Sequence, residues 1–166
     1  MPFSGNDFVK ETVDYINLNY PHYKKILDIG AGAGKFGTKL YNYVVDAIEV
    51  HEPYVNKFKL HDIYNDVFNI NCLDFKGFDD YDLVIMWKTL EHLSFLEARV
   101  LINLIKKSKS DFIFAIPFEL KQGVCHDNIF EIHEQDDLTQ AIVKRRYPEF
   151  DILFESENHG VYKLRK

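Results

Sequence analysis

Residues 26–37 read Ile-Leu-Asp-Ile-Gly-Ala-Gly-Ala-Gly-Lys-Phe-Gly. An apolar run broken only by Asp28 passes into glycines at alternate positions, Gly30, Gly32 and Gly34. Glycine accepts positive φ and lets a ligand come close to the main chain. Phe36, Leu40 and Tyr43 follow at helical spacing. The stretch therefore predicts a strand, a tight turn and a helix whose N-terminus points back at the turn. That unit is a cofactor cradle of the nucleotide type.

Three readings compete for the cradle. A P-loop places four residues between its first glycine and Gly-Lys, then Ser or Thr. Here Gly30 stands too close to Gly34-Lys35, and Phe36 follows. Gly32, Gly34 and Gly37 do fit the dinucleotide pattern G-x-G-x-x-G. Asp28 opposes that reading, because a negative charge beside the turn repels a pyrophosphate. It suits a cationic ligand, such as a sulfonium that also carries an α-ammonium group. The run hydrophobic-Leu-Asp-Ile-Gly-x-Gly-x-Gly resembles the first motif of class I S-adenosylmethionine-dependent methyltransferases. The resemblance implies S-adenosylmethionine as cofactor and S-adenosylhomocysteine as product, held in part by Asp28, Gly30, Ala31, Gly32 and Gly34. A strand-to-helix turn without a ligand is the bland alternative.

Outward from the turn, elements alternate. Ser4-Gly5-Asn6-Asp7 reads as a helix start, and Phe8, Val9, Val13 and Ile16 carry the helix toward Pro21. Segment 1–23 is expected to pack over the cofactor site. Strands are predicted over 26–30, 44–50, 67–72, 81–87 and 111–116. A short helix begins near Pro53. Ser94-Phe95-Leu96-Glu97 is a capping box, with Val100, Leu101, Leu104 and Ile105 as the apolar stripe behind it. A helix over 136–146 precedes strands at 150–156 and 160–166, too close together for a helical crossover, so they pair antiparallel. The pattern predicts an α/β fold in one domain, 1–166. Its sheet is doubly wound, Rossmann-like and seven-stranded, mostly parallel with an antiparallel C-terminal hairpin. That architecture is similar to the methyltransferase sheet and departs from the plain dinucleotide fold.

Composition narrows the partners. At 166 residues with 46% hydrophobic and 28% charged, the chain can bury a proper core. No apolar run reaches the length of a membrane span, and residues 1–7 lack the features of a signal peptide. Cys72 and Cys125 make no disulfide framework, so a cytoplasmic location is expected. The net charge of −6 argues against a surface that tracks phosphates, and no nucleic-acid partner is expected, though a local basic patch stays open. A homodimer or a partner subunit also stays open.

Four further stretches carry candidate chemistry. Glu49, followed by Val50, ends the second strand, where an acid can accept from both ribose hydroxyls. Dinucleotide-binding proteins use an acid in the same way, so Glu49 does not choose between cofactors. After the third strand comes Cys72-Leu73-Asp74-Phe75. The resemblance implies Asp74 on the adenine amino group and Phe75 on the ring; Cys72 reads as a small buried filler. Trp87-Lys88-Thr89-Leu90-Glu91-His92-Leu93 resembles the fourth motif of small-molecule methyltransferases, which implies Met86, Trp87 and Lys88 around the methionine moiety and the substrate mouth. Two metal-assisted methyltransferase families use Glu-x-x-Glu-His there. Lys88 stands where their first Glu would be, so no metal is expected. Lys88 either holds an anionic group of the acceptor or is a solvated lysine.

Glu91 and His92 are candidate catalytic residues, or else a helix-start acid and a supporting histidine. Methyl transfer depends on in-line placement, and a base matters only when the nucleophile must lose a proton. His92 is the first candidate base, and His126 or His133 the second. Residues 117–135 form the longest irregular stretch, suited to substrate specificity. Its Cys, His and acidic residues fit no zinc spacing. The expected reaction is methyl transfer to an O, N or C nucleophile of a small-molecule acceptor. The alternatives are an NAD(P)-dependent oxidoreductase and a non-catalytic cofactor-binding partner subunit.

Overall fold

Lys25–Ile29 forms β1, the strand that carries the glycine turn, and it lies inside a seven-stranded sheet. The computed structural model describes residues 8–125 and 127–165, so the expected helix start at residues 4–7 lies outside them. The other elements, in chain order, are α1 (Val9–Asn19), β2 (Val44–Ile48), α2 (Glu52–Lys57), β3 (Val67–Phe68), β4 (Leu83–Trp87), α3 (Phe95–Lys107), β5 (Asp111–Pro117), α4 (Gln140–Arg146), β6 (Phe150–Glu155) and β7 (His159–Leu164). The strand order is β3-β2-β1-β4-β5-β7-β6. Strands β1 to β5 run parallel, and β7 pairs antiparallel with both β5 and β6. This is the expected doubly wound sheet with its terminal hairpin. The order reverses between β1 and β4, which opens a crevice beyond their carboxyl ends.

The central strands are apolar on both faces because both faces are covered. Side chains alternate across the sheet. Leu27, Ile29, Val84, Met86, Phe112 and Phe114 meet Ala98, Leu101, Ile102 and Ile105 of α3 and Val143 of α4. Ile26, Ala47, Leu83, Ile85 and Ile113 face the other way, toward Val9 and Ile16 of α1, Phe36, Leu40 and Leu60. The capping box forms as predicted: Ser94 accepts from the Glu97 amide, and the Glu97 carboxylate accepts from the Ser94 amide.

Three expectations are corrected. No helix follows the glycine turn; residues 32–39 are a chain of turns. Gly34 sits at φ +76, which no right-handed helix accommodates. The third strand spans two residues rather than 67–72. Beyond Phe68 the Asn69 amide group donates to the Glu49 carbonyl (2.7 Å) and the Val50 carbonyl (3.2 Å), so a side chain takes over from the backbone ladder. Helix α4 starts at Gln140 because Thr139 caps it, accepting from the Ile142 amide, while Leu138 is already buried in the core. Among the described residues, no helix is long and apolar enough to cross a membrane.

Candidate active site

The glycine turn folds over the end of β2, since the amides of Gly30 and Ala31 both donate to the Ile48 carbonyl (2.8 and 3.3 Å). Its glycines serve two purposes. A Cβ on Gly30 would lie 2.3 Å from Thr89 Oγ1, and one on Gly34 would lie 2.8 Å from Ile63 Cδ1. Those positions are filled by the protein itself. Gly32 is different: at φ +51, its added Cβ would meet only the Gly30 carbonyl, at 3.9 Å. The space above it belongs to a cavity of about 690 Å³, within the ~300–1,000 Å³ typical of ligand sites.

Two buried acids flank that opening. Glu49 Oε2 accepts from the Gly32 amide and Oε1 from the His51 amide, both at 2.9 Å. Burial raises its carboxyl above the usual range, against the pull of those two N–H groups. Asp28 accepts from the Tyr64 hydroxyl at 2.5 Å. Burial pushes its carboxyl up to about 7, with the Tyr64 bond lowering it and the Glu49 charge raising it. Asp28, Ala31, Glu49 and Val50 all line the cavity. A cationic ligand group would relieve the Asp28 cost.

The far end of the cavity is built on the carboxyl end of β4. Lys88 takes φ +51, and its amide donates to the Ala115 carbonyl (2.8 Å), which ends the strand sharply. A single 3₁₀ turn, Leu90–His92, then points Glu91 inward. The loop after β5 is stapled onto this turn. Amides of Glu134 and Gln135 both donate to the Glu91 carbonyl (2.9 and 3.1 Å), and the Gln135 side chain donates to the carbonyls of Leu90 (3.3 Å) and Leu93 (3.1 Å). The staple sets His133 against His92, ring centroids 4.8 Å apart and edge to face. Burial lowers the pKa of both imidazoles, and for His92 the neighbouring His133 lowers it further. Glu91 is 1% exposed, and burial pushes its carboxyl up to about 8.

No known family profile matches the chain, and no curated protein matches it in sequence. Solved structures match it in shape. Magnesium protoporphyrin IX methyltransferase from Synechocystis PCC 6803, with bound S-adenosylmethionine, superposes at a TM-score of 0.69 and 15% identity, over 97% of this chain and 79% of that one. The N-methyltransferase NodS from Bradyrhizobium japonicum WM9 gives 0.65 and 16%, over 98% and 99%. An S-adenosylmethionine-dependent methyltransferase from Clostridium acetobutylicum ATCC 824 gives 0.67 and 13%, over 97% and 91%. The chain has the class I methyltransferase fold.

Within that fold, the expected site residues divide. Trp87, Lys88, Glu91 and His92 line the cavity together with the glycine turn. Leu73, Asp74, Phe75 and Met86 do not. Phe75 turns into the core, ringed by Phe68, Phe78 and Tyr81. Met86 is fully buried beneath α3, on the face that side-chain alternation dictates. Leu73 packs against that same core, and Asp74 is exposed. After β3 the chain meets the cavity through Ile70, Asn71 and Cys72 instead of Leu73, Asp74 and Phe75. No described residue of segment 8–23 lines the cavity; α1 covers the sheet instead. His126 lies outside the described residues. His133 joins Glu91 and His92 through the Gln135 staple, a long-range contact without a spacing signal. The expectation of no metal rested on Lys88 in place of the first Glu, which leaves only Glu91 and His92 of that motif; the fold sets His133 beside them, one ligand atom of each within 4.8 Å of the others.

Proposed function

We propose that the chain is an S-adenosylmethionine-dependent methyltransferase acting on an O, N or C nucleophile of a small-molecule acceptor, with S-adenosylhomocysteine as product. The observation that carries this reading is the opening at Gly32, flanked by Asp28 and Glu49. Bound there, the cofactor supplies an electrophilic methyl group on a sulfonium. Asp28 faces its α-ammonium group, Glu49 accepts from its ribose hydroxyls, and Ile70, Asn71 and Cys72 wall its adenine. Trp87 and Lys88 stand at the acceptor's mouth, with Lys88 placed to hold an anionic group. His92 and His133, kept neutral by burial, can take a proton from an acceptor O–H or N–H.

Two features speak against a nicotinamide dinucleotide. A pyrophosphate seeks a helix N-terminus, and the turn lacks one. It would also lie against Asp28. Calorimetric titration with S-adenosylhomocysteine, NAD and NADP separates these cofactors. One-to-one binding of S-adenosylhomocysteine alone is expected, and NAD binding would refute the proposal. Methyl transfer from labelled donor to acceptor pools tests catalysis; cofactor binding with no turnover on any pool would favour a partner subunit.

A further inference from the structure

We propose that Glu91, His92 and His133 form a site for a transition-series divalent cation, with Zn²⁺ as its reference ion, at the β4 end of the cavity. One ligand atom of each residue lies within 4.8 Å of the other two. Ligand atoms ~2.1 Å from a tetrahedral ion stand about 3.4 Å apart, so side-chain rotations of around an ångström close the site.

Two observations point to a cation rather than a plain polar cluster. Glu91 Oε2 is buried and receives no hydrogen bond from any described residue, although Glu91 lines the cavity. The Lys88 charge reaches Glu91, yet no nitrogen among the described residues donates to Oε2. A buried carboxylate oxygen left this way is costly until a cation or donor meets it. Both imidazoles, moreover, are fixed through Nδ1: His92 to the Ile132 carbonyl (3.1 Å) and His133 to the Leu120 carbonyl (2.6 Å). For His133, an Nδ1–H held by a carbonyl sets the tautomer and leaves the Nε2 lone pair to ligate, the arrangement common in metal-binding histidines; the His92 ring also meets the Lys88 carbonyl, a contact the ion would replace.

The donor set selects the ion. Two imidazole nitrogens and one carboxylate suit Zn²⁺, Fe²⁺ or Co²⁺, whereas Mg²⁺ and Ca²⁺ require mostly oxygen ligands. Three protein ligands leave a fourth position, which opens to the cavity. An acceptor heteroatom bound there would give up its proton more readily, so the ion would take over the role that the free imidazoles play as bases in the metal-free chain. The site does not depend on the cofactor assignment.

The test uses the full chain, stripped with a chelator and dialysed against Zn²⁺ or, separately, Mg²⁺. Metal is then counted per chain, and Co²⁺ uptake is followed by its visible absorption. One Zn²⁺ per chain and no retained Mg²⁺ are expected. Glu91→Gln, which keeps the shape and removes the charge, and His133→Ala should each weaken Zn²⁺ by about tenfold or more. S-adenosylhomocysteine titration of the same samples reports the cofactor reading independently. Absence of stoichiometric Zn²⁺, a preference for Mg²⁺, or unchanged affinity in both variants would overturn the site.

Discussion

Gly32 is the residue on which the cofactor assignment turns, because the protein leaves the space above it open. Asn tolerates the left-handed conformation better than other non-glycine residues. Gly32→Asn should therefore fold like the parent and lose S-adenosylhomocysteine binding; retained affinity would move the ligand elsewhere. Glu49→Ala should weaken that binding by about 1.5–3 kcal/mol, the scale of hydrogen bonds to a charged group, or roughly 10- to 150-fold in Kd. A 2′-deoxy analogue should lose much less in the variant than in the parent, and equal losses would show that Glu49 does not touch the ribose. Asp28 makes a prediction about pH. Its carboxyl rises from an ordinary 3.8 to about 7 on folding, so the folded chain keeps a proton that the unfolded chain releases. Stability from this group is full below the unfolded value and is lost as pH rises through about 7. In the ligand-free protein, the fall in Tm from about pH 5 to about pH 8 should be shallower in Asp28→Asn than in the parent. Parallel curves would mean that Asp28 is not the buried acid described. Asp28, Gly32 and Glu49 were all legible in the sequence, since strand-end acids and alternate glycines are local features. Phe75 and Met86 were not placed correctly, because which face a residue takes depends on where its strand ends.

At the scale of elements, the capping box and the apolar stripe were legible because both are set within one turn of helix. Ser94→Ala removes the acceptor for the Glu97 amide. The expected cost is about 1 kcal/mol, read as a fall of roughly 2–4 °C in Tm; an unchanged Tm would show that α3 does not depend on its cap. The helix expected after the glycine turn failed for a reason its apolar spacing concealed. Phe36 and Leu40 are buried as a helix would bury them, but the positive φ of Gly34 keeps the backbone out of the right-handed region. The third strand failed because the Asn69 side chain competes with the ladder, an effect that apolar runs do not report.

For the whole molecule, the alternation of strands with helices and the short final connection were enough to assign the sheet, its parallel body and its antiparallel hairpin. What stayed hidden was the long-range assembly of the cavity's far end. Glu134 and Gln135 tie the loop after β5 to the Leu90–His92 turn, and that fold-level contact places His133 beside Glu91. The central claim is that the crevice at the reversal of strand order takes S-adenosylmethionine. Its most direct test is calorimetry of the purified full chain with S-adenosylhomocysteine and NAD, in the parent and in Gly32→Asn. The account predicts one S-adenosylhomocysteine bound per parent chain, none by the variant and no NAD by either. NAD binding by the parent, or a parent that ignores S-adenosylhomocysteine, would contradict it.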